Sequence, residues 1–153
     1  VQESVKVEWN LGKRCNYDCT YCPAELHDNF SKHTDIKILK NAVDDLISSM
    51  PDLRTKVRVS FTGGEPCLQD LKTIGSELKK YGINLSVETN GTIEVPELID
   101  WICVSPKDQL YPNSKIIQRT GDELKVVYCG QNLSMYDDLK QGSLPLTHYN
   151  QDE

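Results

Sequence analysis

Short alternating apolar runs recur along this chain, and the first three are separated by stretches whose apolar residues repeat at helical spacing. Val5, Val7 and Trp9 alternate with polar neighbours and predict a first strand. Ile36, Leu39, Val43, Leu46, Ile47 and Met50 then recur on one helical face, with Thr34 or Asp35 as candidate caps and Pro51 beyond the end. Val57, Val59 and Phe61 predict a second strand. Leu68, Leu71, Ile74, Leu78 and Tyr81 predict a second helix, closed by Gly82. Ile83, Leu85 and Val87 predict a third strand, and a short helical turn is expected over 95–99. The near-continuous apolar run Trp101–Val104 predicts a strand covered on both faces, and 124–127 another. The stretch after Gly142 carries a weaker signal of one last short strand. Strands alternating with helices make βαβ units, so the fold class is α/β with a mostly parallel, open sheet.

In parallel sheets, chemistry collects where the strands end. The cysteine-rich stretch 15–22, Gly63-Gly64-Glu65, Thr89-Asn90-Gly91 and Ser105-Pro106-Lys107 each follow a predicted strand, so all of them meet on one edge. The chain of 153 residues shows no repeat, low-complexity tract or long linker, and 1–153 reads as one domain. A formal net charge of −6 argues against a general nucleic-acid binder. No apolar run has membrane-spanning length and no signal-peptide pattern is visible, so no membrane partner is expected. Six cysteines are present, and three of them crowd into eight residues, which fits a disulfide framework poorly. A reducing, cytoplasmic setting is the expectation.

Cys15, Cys19 and Cys22 carry the strongest chemical signal. Thiolates are the usual ligands of iron–sulfur clusters. Three of them hold three corners of a four-iron cube and leave the fourth iron open to a small molecule. With His27 or His33 as a fourth ligand, the same residues read as structural zinc. Three unconnected thiols are the blandest alternative. Gly63-Gly64-Glu65-Pro66 taken alone is a turn with a solvated carboxylate, although its glycines also let backbone carbonyls approach a ligand closely. Lys107 is a surface lysine or a ligand contact, and Glu88 binds a ribose hydroxyl or caps its turn. Asn90 and Gly91 read as turn chemistry. His27, His33 and His148 read as ordinary polar residues, and Cys67, Cys103 and Cys129 as packing thiols. Trp9 and Trp101 read as core rather than substrate platforms.

Taken together, CNYDCTYC at 15–22 and GGEP at 63–66 resemble the radical S-adenosylmethionine (SAM) superfamily. The resemblance implies a shortened partial (β/α) barrel with a [4Fe–4S] cluster on Cys15, Cys19 and Cys22, its open iron chelated by SAM. It puts Tyr21 near the adenine, and Gly63, Gly64 and Glu65 at the methionine end. TGGEPCLQ at 62–69, ETNGT at 88–92, WICVSPK at 101–107 and LKVVY at 124–128 follow in the order of the 7-carboxy-7-deazaguanine synthase family of queuosine and deazapurine biosynthesis. By this similarity Gly64, Ser105, Pro106 and Lys107 contact SAM, with Glu88 as a further candidate for its ribose, and Thr62 touches substrate. That family consists of lyases that contract the ring of 6-carboxytetrahydropterin with loss of ammonia, and they use Mg2+. A flavodoxin- or ferredoxin-like donor supplies one electron, SAM yields methionine and a 5′-deoxyadenosyl radical, and the radical takes a hydrogen atom from a small, pterin-like substrate. A homodimer is compatible with this picture.

The sequence departs from the family at several places. Pro23-Ala24 stand where Asp-Thr is usual, which removes the threonine that helps to bind Mg2+. Leu11 replaces the usual arginine, leaving the displaced Arg14 as the candidate for substrate. The glutamine- and glycine-rich substrate segment and the Leu-Gln-Pro ending of the family are not found in 1–153, where His148-Tyr149-Asn150-Gln151 is the nearest counterpart of the latter. A radical-activating or peptide-modifying radical SAM enzyme fits the cysteine spacing as well. A non-catalytic zinc or iron–sulfur module is the alternative of another class, and it predicts no SAM binding.

Overall fold

The computed structural model describes residues 4–50, 56–108, 110–142 and 146–150. Its strands are β1 (Ser4–Asn10), β2 (Lys56–Thr62), β3 (Asn84–Thr89), β4 (Trp101–Val104), β5 (Glu123–Tyr128) and β6 (Leu146–Asn150). They form one sheet in the order β1-β2-β3-β4-β5-β6, and each neighbouring pair is parallel. Parallel neighbours need a crossover each time, so every strand ends on the same edge. The winding never reverses direction. The result is a barrel cut open, not a doubly wound sheet with a switch point.

Two helices, α1 (Ile36–Ser49) and α2 (Leu71–Lys79), fill the first two crossovers. Asp35 caps α1 by accepting the Lys37 N–H at 2.7 Å. Asp70 caps α2 by accepting the Thr73 N–H at 3.0 Å, which fixes its start after Leu68. Leu68 instead ends a short 3-10 turn begun by Pro66. Tyr81 also lies outside α2, and Gly82 turns the chain with φ +70°. The helical turn expected over 95–99 forms only as one hydrogen-bonded turn, at 96–99. Pro96 permits a single bond from Ile99 N–H to its carbonyl, and the Val95 N–H is taken by the Gln118 side chain. Pro51 and Gln151 lie outside the described residues. Among the described residues, no helix is long and apolar enough to cross a membrane.

Strand alternation separates two faces. Val57, Val59 and Phe61 of β2 and Leu85 and Val87 of β3 are buried with Leu39 and Val43 of α1 and Leu71, Ile74 and Leu78 of α2. Each such side chain contributes roughly 1.5–3 kcal/mol when fully buried. The opposite, concave face is polar. In register across it lie Lys6, Arg58 and Asn84, then Glu8, Ser60, Ser86 and Trp101, then Glu88, Cys103 and Glu123. β4 is therefore not covered on both faces: Trp101 is 36% exposed to the hollow of the open barrel. Trp9 is partly buried, its ring 6.0 Å from that of Phe61. A smaller core of Leu124, Val126, Tyr136 and Leu139 forms under the 3-10 segment Leu133–Gly142.

Candidate functional site

The strand ends, the cysteine loop and the turns beyond β2, β3 and β4 enclose a cleft of about 310 Å³. Cys15, Cys19 and Cys22 all line it, together with Tyr21, Thr62, Gly63, Gly64, Glu65, Glu88, Ser105 and Lys107. Sequence segments far apart thus meet as their places after the strands require. Two of the candidate residues do not line the cleft. Arg14 sends its guanidinium to the Ser31 carbonyl at 3.2 Å, and Pro106 is buried without lining the cleft.

The residues between Cys15 and Cys19 anchor the loop to the sheet. Asn16 donates to Thr92 Oγ1 at 2.8 Å and accepts from Asn90 Nδ2 at 2.7 Å. Tyr17 stacks on Tyr111, with ring centroids 4.5 Å apart, and the Asp18 N–H donates to the Tyr111 hydroxyl at 2.8 Å. The loop is held on its other flank by the glycine turn. Glu65 N–H donates to the Arg14 carbonyl at 2.8 Å, and Gly64, at φ +46°, comes so close that a Cβ there would lie 2.2 Å from that oxygen. Gly63 packs equally tightly on the Asn10 side chain. These glycines are needed for close contact between protein segments as well as for any approach to a ligand.

Glu65 is not a solvated charge. It is 1% exposed, and its carboxylate accepts from Thr89 Oγ1 and Asn90 N–H, both at 2.7 Å, and from Cys67 N–H at 3.0 Å. It fastens the turn after β2 to the end of β3. Glu88 pairs with Lys125 at 2.9 Å. Lys107 donates to Ser105 Oγ at 2.7 Å and lies 5.4 Å from the centre of the Tyr21 ring; burial pulls its ammonium below the ordinary lysine range. His27 is buried, not an ordinary surface histidine, and its two ring nitrogens face Asp18 Oδ1 and the Pro23 carbonyl, each at 3.1 Å. His33 is exposed. Sequence reasoning passed over Asn10, Asn16, Tyr17 and Tyr111. For Asn16 and Tyr17 the available signal was their position between two cysteines; Tyr111 had none.

Residues 9–133 match the sequence model of the Radical SAM superfamily. The chain belongs to this superfamily. Over 135 residues, 88% of its length, this radical SAM chain is 35% identical to the 7-carboxy-7-deazaguanine synthase of Bacteroides thetaiotaomicron and covers 64% of that protein. It is 38% identical over 72% of its length to the 7-carboxy-7-deazaguanine synthase of Caulobacter vibrioides, covering 51% of it. The chain thus spans about half to two thirds of these curated relatives. Its fold resembles the solved structure of native anSMEcpe with bound AdoMet, with a TM-score of 0.63 over 95% of this chain and 50% of that one, at 18% identity.

Membership of the radical SAM superfamily implies a [4Fe–4S] cluster and SAM, and the cleft offers a donor set of the right kind. Its three cysteines are free thiols lining the same cleft, an all-sulfur set of the kind that binds iron, although among the described residues their side chains are not drawn together into a metal site. Burial pushes the Cys15 and Cys22 thiols above their ordinary range, so metal binding there must release protons. The Tyr21 ring lines the cleft, while its hydroxyl is buried beside the Cys19 side chain and finds no well-aligned hydrogen-bond partner among the described residues. The zinc alternative fits less well, because both nitrogens of His27 are already engaged. Mg2+ does not fit at residues 23–24. Pro23 and Ala24 carry no side-chain donor, and the Pro23 carbonyl accepts from Leu26 N–H and faces His27.

Proposed function

We propose that residues 1–153 act as one radical SAM domain whose small-molecule substrate is 6-carboxytetrahydropterin or a related bicyclic compound, with 7-carboxy-7-deazaguanine as the product. The observation that carries this reading is the meeting of three free cysteines, the glycine turn and the Ser105–Lys107 pair around one cleft, in a chain alike over most of its length to 7-carboxy-7-deazaguanine synthases.

In this reading Cys15, Cys19 and Cys22 hold the cluster. Gly63 and Gly64 offer backbone carbonyls to the methionine end of SAM. Tyr21, Ser105 and Lys107 line the adenosine side, with Lys107 kept in place by Ser105 Oγ and the Tyr21 ring. Glu88 faces the ribose, and Thr62 faces the substrate from the end of β2. Glu65 acts through the turns it joins and not on the ligand. When bound, the cluster and SAM supply one-electron carbon–sulfur cleavage that ends in hydrogen abstraction. The residues of the chain orient these groups and keep water from the cleft. The electron comes from a flavodoxin- or ferredoxin-like protein.

The test is anaerobic reconstitution with iron and sulfide, followed by SAM cleavage with and without 6-carboxytetrahydropterin. The wild-type protein is expected to bind about four irons and to convert the pterin. Cys15→Ala, Cys19→Ala and Cys22→Ala each abolish SAM cleavage, whereas Cys129→Ala does not. Colourless protein holding zinc alone would overturn the radical reading. SAM cleavage with the pterin recovered unchanged would overturn the substrate.

A further inference from the structure

Beneath the cofactor cleft, on the concave face of the sheet, lies a second cavity of about 370 Å³. Its walls come from the lower rungs of β1–β5 and include Lys6, Arg58, Ser86, Trp101, Glu123 and Lys125. Glu88 lines both cavities, so the two adjoin. Trp101 stands in register with Ser86, one rung below Glu88. A rung of two residues is about 7 Å. A ring lying against Trp101 therefore reaches the level of Thr62 and Glu88, where the cleft begins.

The chemistry of this hollow is particular. Trp101 opens β4, one of the inner strands, and its aromatic side chain remains 36% exposed, where a filled barrel would bury it. The Arg58 guanidinium lies over its ring, 5.8 Å from the centroid. The other cations of the hollow already face carboxylates: Lys6 is 3.0 Å from Glu8, and Lys125 is 2.9 Å from Glu88. Arg58 has no carboxylate within ion-pair distance among the described residues; Asp100, which feels its charge, is itself held by Lys79 and the Leu85 N–H. Guanidinium groups bind carboxylates through two parallel N–H bonds and stack on flat π systems. Neither of the cations suggested by sequence serves this hollow. Arg14 is tied to Ser31, and Lys107 lies above in the cofactor cleft.

We infer that this hollow is a binding site for a bicyclic compound with a flat, conjugated ring and a carboxylate, with Trp101 as the stacking platform for the flat ring and Arg58 as the partner of the anion. The inference rests on the substrate reading given above and deepens it: Arg58 supplies the cation that Leu11 lacks. It also makes Trp101 and Arg58 the residues that select for an acidic ring.

The experiment is calorimetric titration of the wild-type protein with pterin-6-carboxylate and with unsubstituted pterin, with tryptophan emission as a second readout. The wild type is expected to bind the carboxylate at least tenfold more tightly than pterin. Emission is quenched in Trp9→Phe, which retains Trp101 as its sole tryptophan. Arg58→Ala removes the preference for the carboxylate and leaves pterin affinity within about twofold, and Arg58→Lys recovers part of it, as a charge without the planar fork should. Trp101→Ala weakens both ligands, with unchanged circular dichroism. Equal binding of the two ligands by wild type, or an undiminished preference in Arg58→Ala, overturns the inference. The cluster content of wild-type protein is measured separately. Its absence would count against the radical reading alone, because these titrations need no cluster.

Discussion

Between β1 and β3 the chain returns through two α-helices; between β3 and β6 the described residues form turns, loops and one 3-10 segment. Among the described residues the helix-backed part supplies twelve of the fourteen buried side chains of the larger core, Val95 and Ile99 supplying the other two, while β5 and the 3-10 segment hold a separate core of four. Both parts contribute to the cleft, but in different ways. The first supplies the cysteine loop and the glycine turn on a heavily packed base. The second supplies Ser105, Lys107 and the Tyr111 clasp on segments with little behind them. Rigid packing suits groups that must hold a fixed geometry, whereas lightly backed loops open locally at lower free energy.

The sharpest way to break this contrast is Gly64→Val. The new Cβ would meet the Arg14 carbonyl at 2.2 Å, in a backbone conformation that β-branched residues rarely adopt. We expect a loss of about 3 kcal/mol or more. Iron content after reconstitution should fall with stability, because the glycine turn and the cysteine loop are in contact. Weakened SAM binding with full stability and a full cluster would mean that the turn serves the ligand alone.

The contrast is sharpened by a matched pair. Leu85 and Leu124 are both fully buried, one in each core. Leucine-to-alanine changes in cores cost roughly 2–5 kcal/mol, more where the surroundings cannot collapse. Leu85→Ala is expected near the top of that range and Leu124→Ala near the bottom, read from denaturant midpoints at unchanged slope. Hydrogen exchange should show β4–β5 amides opening before those of β2–β3. Equal costs and one shared opening would dissolve the distinction.

The smallest effect lies at the seam. Burial alone would raise the Asp100 carboxyl, but the Lys79 ammonium and the Leu85 N–H outweigh it and hold the group below the ordinary carboxylate range. Its support is complete above that range and fades as pH falls through the lowered value. The side chain is 42% exposed, so Asp100→Asn should cost only about 1 kcal/mol or less near neutrality. The difference between the two proteins should vanish in acid. A difference that persists at low pH would place the effect in packing, not in charge.

Alternation in β1–β3 and the helical spacing of α1 were legible because local pattern and tertiary burial agree there. The strand at Trp101–Val104 was legible for the same reason. Its surroundings were not, since an apolar run reads the same whether its far face meets a helix or an open hollow. At residues 95–99 the helical signal yields one hydrogen-bonded turn and no more, from Ile99 N–H to the Pro96 carbonyl, with the free Val95 N–H met by Gln118 twenty-three positions on. Leu68 fitted the helical face, but Asp70 placed the cap after it. At the site, the cysteines and glycines were legible from type and spacing. The buried state of Glu65 and His27, the bond from Arg14 to Ser31 and the Tyr17–Tyr111 stack depend on partners far along the chain, which spacing does not encode.

The contact between Gly64 and the Arg14 carbonyl has a thermodynamic consequence. The turn after β2 and the loop after β1 touch without slack, so neither changes shape unless the other does. Where two sites share such a joint, coupling is reciprocal: an occupant of one that prefers a given arrangement of the joint changes the affinity of the other by the same factor in return. For this chain, a ligand of the cysteines and a ligand of the glycine turn that favour the same arrangement of the joint would strengthen each other's binding by one and the same factor.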